Sequence, residues 1–179
     1  DTYLATTDKD KELTKLQAFN KQINNKYHEG PVSFNQAGDY MVFTRNNYEG
    51  KSKDGTVKLQ LYSSTKKDGK WGPEKSLHYN NNEYSVGHAS LSPDGKTMYF
   101  ASNMPGGKGG VDLYKATRNT DGSWGKAENL GDKINTEGDE MFPFIHADQE
   151  LLFFASNGHI GLGGLDIFVT QLKGNKISQ

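Results

Sequence analysis

The sequence predicts an all-β fold in which one four-stranded antiparallel unit repeats along the chain. The stretch FASNMPGGKGGVD from Phe100 aligns without a gap with FASNGHIGLGGLD from Phe154, 54 residues later. A looser third copy, FNQAGDYMVFT from Phe34, matches the residues that begin at Leu91. A period of roughly 40–50 residues, or a little more, is typical of propeller blades. Because such units cannot bury two faces alone, they are expected to stack and close into a β-propeller.

Each repeat unit shows the same order of strands and turns. Short inner strands are predicted at 32–34, 89–91 and 143–145. Second strands, apolar enough to be buried on both faces, are predicted at 40–44, 97–102 and 151–156. Third strands are predicted at 59–63, 112–117 and 166–171. The turn from inner to second strand is clearest at Ser92-Pro93-Asp94-Gly95, with equivalents at 36–38 and 147–149.

The outer part of each unit is marked by turn residues and a tryptophan. Asp-Gly pairs at Asp68 and Asp121 predict the hairpin that leads to a short outer strand. Trp71 and Trp124 follow these turns and lie 53 residues apart, in register with the repeat. We expect both to pack in the core at the outer edge of their blades, although a tryptophan can also stack on a sugar.

The repeat divides the chain into residues 1–30, 31–87, 88–141 and 142–179. Residues 1–30 align with the sequence that begins at Asp112, which predicts the two outer strands of a preceding blade. The alternative is a helix, because Leu13, Leu16, Phe19 and Ile23 also have helical spacing.

The count of blades is low. The chain contains about three, whereas propellers usually have about 4–8. Either the chain is a piece of a longer polypeptide whose remainder closes the ring, or closure requires a second copy. We expect the former.

Composition excludes several classes of function. The net charge of −1 predicts no nucleic-acid partner. No apolar run approaches the roughly 18–20 residues that span a bilayer, so we expect no direct membrane insertion. The absence of cysteine excludes disulfides, thiolate metal sites and a cysteine nucleophile, and it fits either the cytoplasm or the periplasm.

The motifs as a set resemble a known family. SPDGKTMYFAS followed by GGVDLY is similar to the WD-like repeat of TolB-type β-propellers, and NLGDKINTEGDEMFPFI and FASNGHIGLGGLDIF resemble the propeller of Bacteroidetes OmpA-family envelope proteins. The resemblance implies a periplasmic, non-catalytic scaffold associated with the outer membrane or peptidoglycan. Its implied partners are envelope or secretion-system proteins, type IX secretion among them.

Asp112 and Asp166 are candidate metal ligands, because each follows Gly-Gly and one apolar residue and then opens a strand. A carboxylate beside loop carbonyls can bind Ca²⁺, which takes six to eight oxygens. The alternative, which we favour, is that each aspartate accepts hydrogen bonds from nearby loop amides and fixes the turn. We expect no cofactor. GGKGG and GLGGLD precede strands, so they do not fit the helix-opening phosphate motifs.

A second candidate site is the mouth of the central channel, where Glu29, His88 and Glu140 fall in equivalent connections or inner strands. A ring of His and Glu can bind a metal or a small ligand, but no metal-ligand spacing is present, and hydrogen-bonded structural roles are favoured. No catalytic residues are assigned. A glycosidase, a lyase and a peptidase-associated propeller remain open as less favoured alternatives, as does a glycan- or small-ligand-binding propeller.

The expected function is protein–protein interaction through exposed loops on a rigid scaffold. The insertion at 48–55 breaks the symmetry of the repeat, so it is either a contact site or a tolerated flexible loop. The residues predicted to contact a partner belong to this region and to the loops after the second strands: Asn46, Tyr48, Asn103, Met104, Lys108, Asn157, His159 and Leu162.

Overall fold

The computed structural model describes residues 1–21, 23–24, 26–47, 49–146, 150–173 and 176–178. Within these ranges every regular element is a β-strand, so the all-β prediction is confirmed. No helix long and apolar enough to cross a membrane occurs in the described part of the chain. Tyr48 and the turn predicted at 147–149 lie outside it.

The N-terminal segment is a β-hairpin and not a helix. Strand β1 (Tyr3–Thr7) pairs with β2 (Leu13–Ala18) in a two-stranded antiparallel sheet. The turn between them is closed by Asp8, whose carboxylate accepts hydrogen bonds from the backbone amides of Asp10 and Glu12. This local bonding of an aspartate to the amides that follow it favours a turn over a helix. The hairpin is called the N-terminal hairpin below.

The rest of the chain forms three larger sheets in sequence order. Sheet 1 consists of β3 (Glu29–Phe34), β4 (Tyr40–Asn46), β5 (Leu59–Lys67), β6 (Lys70–Trp71) and β7 (Lys75–Ser76). Sheet 2 consists of β8 (Val86–Leu91), β9 (Thr97–Ser102), β10 (Asp112–Thr117) and β11 (Glu128–Asn129). Sheet 3 consists of β12 (Glu140–His146), β13 (Leu151–Ser156), β14 (Asp166–Lys173) and β15 (Lys176–Ser178).

Strand register shows that sheets 2 and 3 are structural repeats. In sheet 2, Asp112 is paired with Ser102, and in sheet 3 Asp166 is paired with Ser156; each strand pair then continues without a shift. Residues 54 positions apart therefore occupy equivalent places in the two sheets, in addition to being similar in sequence. The antiparallel four-stranded unit predicted from the repeat is the unit that forms.

The inner strands are longer than predicted because pairing continues on the far side of a β-bulge. The register shifts between Gly87 and Ser90 in β8 and between Met141 and Phe144 in β12. Within these bulges His88 and Phe142 have positive φ angles of 54° and 53°. Left-handed backbone is uncommon for non-glycine residues, so two instances at equivalent positions mark a feature that belongs to the repeat.

The sheets stack face to face, and the core lies between them. Val42 and Leu61 of sheet 1 pack with Met98 and Phe100 of sheet 2, all without exposed surface. The joint between sheets 2 and 3 repeats this arrangement with Ala101, Leu113 and Phe154. Because both faces of sheet 2 are buried, its second strand is apolar at nearly every position.

The inner strands are also joined by a repeated hydrogen bond between side chain and backbone. The amide of Leu91 donates to the hydroxyl of Ser33 at 2.9 Å, which links sheet 2 to sheet 1. The amide of Ile145 donates to the hydroxyl of Ser90 at 3.1 Å, which links sheet 3 to sheet 2. Each bond satisfies a buried inner-strand amide, so it helps to set how one sheet sits on the next.

In sheets 1 and 2 an asparagine that follows the outer strand holds the third strand, and a similar asparagine holds the start of the N-terminal hairpin. Asn135 accepts from the amide of Leu113 and donates to its carbonyl, at 2.8 and 3.0 Å. Asn80 does the same to Leu61, at 2.8 and 2.7 Å. Asn24 does so to Thr2 in the N-terminal hairpin. These three residues are called the asparagine clamps.

The division of the chain into blades at residues 30, 87 and 141 stays a prediction.

The two repeated tryptophans pack to different degrees. Trp124 is buried in the joint between sheets 1 and 2, where its ring lies 6.4 Å from that of Tyr40. Trp71 is half-buried and packs against Phe19 and Phe34 at centroid distances of 5.8 Å. Both therefore contribute to packing next to the predicted hairpin turns.

Candidate interaction surface

The predicted contact loops lie at one end of the sheet stack, which is called the loop face. Strands β4, β9 and β13 end there, and β8 and β12 begin there, so loops 47–58, 103–111 and 157–165 share this end with the connections 77–85 and 130–139. The antiparallel order of strands places them together. Asn103 and Asn157 are exposed on this face, while Asn46, Met104 and His159 are half-buried in it.

The first glycine-rich loop is fixed by Asp112. Its carboxylate accepts hydrogen bonds from the amides of Lys108 and Gly109, at 2.5 and 3.1 Å, and from the side chain of Asn129 at 2.7 Å. Asp112 is fully buried, and three N–H groups face it. These are the hydrogen bonds expected if Asp112 fixes the turn and does not bind a metal. Lys108 lies on the surface of this loop, 3.2 Å from Asp132.

The second glycine-rich loop repeats this device with Asp166. Its carboxylate accepts from the amides of Leu162 and Gly163, at 2.7 and 3.2 Å. His159 fixes the other side of the loop, because its Nε2 lies 2.8 Å from the carbonyl oxygen of Ile134 and its ring packs against Phe168. The loop is thus anchored on both sides of its tip.

Two large apolar side chains are presented by this anchored loop. Ile160 and Leu162 have relative exposures of 102% and 101%, which means that they make no packing contact at all. Single exposed apolar residues are common, but two on one ordered loop tip form a small contact patch. Leu162 was among the predicted contact residues, whereas Ile160 was not.

The connection between sheets 2 and 3 is bonded to the loops on either side of it. Asp139 accepts from the amide of Val111 at 2.9 Å, and its own amide donates to the side chain of Asn157 at 2.7 Å. Gly110 donates to the carbonyl of Gly138 at 2.9 Å. The loop face between residues 103 and 165 is therefore a continuous, hydrogen-bonded surface.

The insertion in sheet 1 is folded on itself. The hydroxyl of Ser52 lies within hydrogen-bond distance of both the Asp54 carboxylate and the carbonyl oxygen of Thr56, and the ammonium of Lys58 lies 3.0 Å from Asp54. The hydrogen bonds from Ser52 and Thr56, followed by that from Lys58, lower the pKa of Asp54. The loop also rests on the next connection, since the amide of Lys53 donates to Glu83 at 3.3 Å. Asn46, at the end of β4, pairs with Leu59 next to this insertion.

A second surface, called the channel groove, runs along the inner strands of all three sheets. It is an open cavity of about 620 Å³ whose walls are mainly apolar. Its lining includes Pro31, Phe34, His88, Phe142, Phe144 and His146. The ring of His88 stacks on that of Phe142 at 4.1 Å, so the two left-handed residues are in contact with each other. Burial lowers the pKa of His88, and its Nδ1 has no hydrogen-bond partner among the described residues.

Only one of the three predicted channel-mouth residues reaches the groove. Glu140 is fully buried below the loop face, where its carboxylate accepts from the amide and hydroxyl of Thr136 and from the hydroxyl of Ser156, at 2.6 to 2.8 Å. Glu29 is also buried, and its carboxylate oxygens have no hydrogen-bond partner among the described residues. Of the three residues predicted at the channel mouth, only His88 lines the groove, where His146 is the second histidine.

The charged residue nearest to Glu29 along the sheet is bonded elsewhere. Arg45 is paired with Glu29 in strand register, but its guanidinium forms two hydrogen bonds with Glu74, at 2.5 and 2.7 Å. It also lies 4.2 Å from the ring of Tyr62. Burial acts to lower the pKa of Arg45, but the hydrogen bonds and charge interactions with Glu74 and Tyr62 together outweigh it, so the pKa is raised. The charge of the buried Arg45 is therefore paired with the half-buried Glu74.

Sequence reasoning missed the aromatic lining of the groove. Phe142 and Phe144 are separated by one residue in an inner strand, a spacing that would place them on one face of an ordinary strand. The spacing of these two residues is visible in the sequence, but the β-bulge that sets the direction of their rings cannot be predicted from it. No group of three or more His, Asp or Glu side chains arranged to hold a metal occurs in the part of the chain that the structure describes.

Comparison with known proteins identifies the fold. No protein-family model and no curated protein matches the chain. Among solved structures, TolB from Acinetobacter baumannii superposes with a TM-score of 0.57 at 16% identity, over 99% of this chain and 37% of that one. A TolB-type protein from Agrobacterium tumefaciens gives 0.53 at 18% identity, over 87% and 49%. A puromycin-hydrolyzing peptidase from Mycobacterium tuberculosis gives 0.59 at 12% identity, over 98% and 27%.

These similarities define a class of fold. The stacked antiparallel sheets form part of a β-propeller, as the repeat predicted, and its solved neighbours include TolB-type proteins, as the motif resemblance implied. The chain spans less than half the length of each of these three proteins. At such low identity the likeness concerns the fold alone, and the role of the chain has to be argued from its own surfaces.

Proposed function

We propose that this chain is a non-catalytic propeller scaffold that binds a protein partner through its loop face. The observation that carries the proposal is the pair Ile160 and Leu162, which are fully exposed on a loop anchored by Asp166 and His159. An ordered loop with apolar side chains at its tip loses little conformational entropy when it binds, and burying those side chains favours association.

The proposed setting is the periplasm, in a complex associated with the outer membrane or peptidoglycan. The motif resemblance to Bacteroidetes OmpA-family envelope proteins and the TolB-type fold both support this setting. The partner class that we propose is envelope or secretion-system proteins, type IX secretion among them. A rigid stack of sheets with hydrogen-bonded loops suits this role, because contact residues on such a scaffold keep fixed relative positions.

Site-specific photo-crosslinking tests the proposal. A crosslinking amino acid at position 162, in the bacterium that produces the protein, should give one or a few discrete products containing an envelope protein. The matched control places the same group at Asp121, an exposed turn residue at the outer edge of sheet 2. Equal crosslinking from both positions, or none from position 162, would contradict the proposal.

A charge substitution provides the second arm. Leu162→Asp should abolish the crosslink from a group placed at Ile160, because it puts a charge into an apolar contact. It should leave the free energy of unfolding unchanged, since the leucine side chain packs against nothing. Lys126→Asp, an exposed change on the outer strand side, should leave the crosslink intact.

The channel groove supports a second candidate function, the binding of a glycan or other small ligand. The observation in its favour is the aromatic lining, in which Phe142 stacks on His88 within a cavity of about 620 Å³. Ligand-observed NMR against an oligosaccharide panel tests it. Binding that is lost in Phe144→Ala and retained in Leu162→Asp would assign the ligand to the groove, and no binding from the whole panel would remove this candidate.

A further inference from the structure

A cleft opens at the outer edge of the joint between sheets 1 and 2; it is called the outer cleft. Its two walls belong to sheets that pack on each other, and it shares no lining residue with the channel groove. Its volume is about 370 Å³, within the range of about 300–1,000 Å³ that is usual for small-molecule sites. The lining combines aromatic, hydroxyl and charged side chains, chiefly Tyr40, Ser63, Lys75, Asp121, Ser123 and Trp124.

Ser63 supplies a buried polar group to the outer cleft. It lies two residues from Leu61 in β5, so its side chain is on the face of sheet 1 that packs on sheet 2. The residue is only 6% exposed, yet its hydroxyl forms no hydrogen bond within the ranges that the structure describes. A hydroxyl can both donate and accept, so this group is available to a bound molecule.

Two charged side chains of opposite sign stand on the two walls. Lys75 is paired with Ser63 in strand register, and its ammonium has no ion-pair partner among the described residues. On the other wall, one carboxylate oxygen of Asp121 accepts from the hydroxyl and the amide of Ser123, at 2.6 and 2.9 Å. These hydrogen bonds lower the pKa of Asp121, so the carboxylate is ionised at neutral pH. The outer cleft thus offers a donor on one wall and an acceptor on the other.

The aromatic floor of the outer cleft is fixed in place. Tyr40 and Trp124 are both buried, and their rings pack on each other across the joint. A site that is already ordered loses little conformational entropy when a ligand binds. Apolar floor and few polar groups together are the usual composition of a small-molecule site.

The sheet edge beside the outer cleft does not favour a peptide strand as the ligand, because adding a strand requires unpaired backbone groups. The carbonyl of Leu61 accepts from the amide of Leu77 at 3.1 Å. The carbonyl of Thr65 accepts from the amide of Gly72 at 2.9 Å, and β7 pairs with β5 between these two points. Recognition in the outer cleft therefore has to come from side chains.

We propose that the outer cleft binds a neutral saccharide. Sugar hydroxyls donate and accept, so one molecule can donate to Asp121 and accept from Lys75 and Ser63 at the same time. A strong anion such as phosphate is disfavoured, because the ionised Asp121 repels it. The site goes beyond the proposed function, since it lies apart from the loop that carries Leu162 and uses none of its residues.

Amide NMR titration of the isotopically labelled protein with maltose, cellobiose and N,N′-diacetylchitobiose tests the proposal. At least one sugar should shift the amides of Lys75 and Ser123 and leave that of His88 unchanged. Lys75→Ala should weaken this binding about tenfold or more, because a hydrogen bond from a charged group is lost. Lys67→Ala removes an exposed lysine of the same sheet outside the outer cleft, so it should bind like the wild type.

Ser63→Ala separates binding from folding. Its hydroxyl has no partner to lose, so the variant should keep the stability of the wild type while sugar binding weakens about two- to tenfold. Unweakened binding in Lys75→Ala, or shifts confined to the inner strands, would overturn the proposal. So would shifts with inorganic phosphate alone, or no shift with any of the three sugars. Leu162→Asp, which tests the proposed function, should leave sugar binding intact, so the two proposals fail independently.

Discussion

The indole Nε1 of Trp124 donates a hydrogen bond of 2.9 Å to the hydroxyl of Tyr40, 84 residues away in the neighbouring sheet. The guanidinium of Arg118 lies 3.8 Å from the ring of Tyr40, on the same joint. Trp124 is thus a core residue with a polar function: it buries apolar surface and satisfies its one donor across the boundary between sheets 1 and 2.

Tyr40→Phe should destabilise the protein by about 1–3 kcal/mol, because it leaves the buried indole N–H without an acceptor. Trp124→Phe will cost more, since it also removes packed volume. Urea unfolding of the two single variants and the double variant measures the coupling. We expect a non-additive coupling of about 0.5–3 kcal/mol. Strict additivity would show that the hydrogen bond does not contribute to stability.

Asn135→Ala should be more damaging than Asn24→Ala. Asn135 is fully buried, and its amide forms three hydrogen bonds, to the backbone of Leu113 and to Asn129. Its loss leaves the buried backbone amide of Leu113 without an acceptor, at a cost of about 1–3 kcal/mol, whereas the carbonyl of Leu113 still accepts from the amide of Leu130. Asn24 makes the equivalent pair of bonds in the half-exposed N-terminal hairpin, where water can replace them. Thermal unfolding of both variants checks the order; equal losses would contradict it.

His88 should make the protein less stable at mildly acidic pH. Burial lowers its pKa below the ordinary value of 6.5, so the unfolded chain binds a proton more readily than the folded one. The neutral His88 therefore contributes fully to the free energy of unfolding above pH 6.5, and this contribution is lost as the pH falls from that value through the pKa of the folded state.

The test of His88 compares unfolding free energies at about pH 7.5 and pH 5.5, on either side of the reference pKa of histidine. Asparagine tolerates the left-handed backbone at this position and does not titrate in this range. His88→Asn should therefore lose less stability on acidification than the wild type. His78→Asn removes an exposed histidine and serves as the control. Parallel behaviour of wild type and His88→Asn would refute the assignment.

Calcium should not stabilise the glycine-rich loops. The carboxylates of Asp112 and Asp166 face backbone N–H groups, whose positive ends repel a cation, whereas calcium requires six to eight oxygens. Melting temperatures with millimolar calcium and with a chelator should agree. A calcium-dependent rise that disappears in Asp166→Asn would instead establish a metal site at that loop.

Much of the fold is predictable from sequence because each repeat uses short-range signals. Ser92-Pro93-Asp94-Gly95 specifies a turn locally, and the paired strands around it follow from their apolar content. The offset between Phe100 and Phe154 then carries register from one sheet to the next. The turns and strands depend on neighbouring residues and the register on the repeat, so no knowledge of tertiary contacts was needed.

The site was less predictable because its geometry depends on distant partners. The sequence predicts Glu140 at the mouth of the channel, but its carboxylate is buried and accepts hydrogen bonds from Thr136 and Ser156. His88 and Phe142 have left-handed backbone without being glycine, since the surrounding sheet pairing imposes the bulge. Leu162 was predicted from its loop position and the role of Asp166 from the Gly-Gly that precedes it, but the sequence does not show that His159 contacts the carbonyl of Ile134 and holds the other side of the loop.

The asparagine clamps have a consequence for synthesis on the ribosome. All strands of sheet 1 have been synthesised once Ser76 is added. The backbone amide of Leu61, however, has no acceptor until Asn80 is added, and in sheet 2 the amide of Leu113 likewise has none until Asn135 is added. The third strands of sheets 1 and 2 are thus each held by a residue that is translated after the strands of that sheet. Nascent chains arrested before Asn80 should be cleaved by protease within β5, whereas chains arrested a few residues after Asn80 should be protected there.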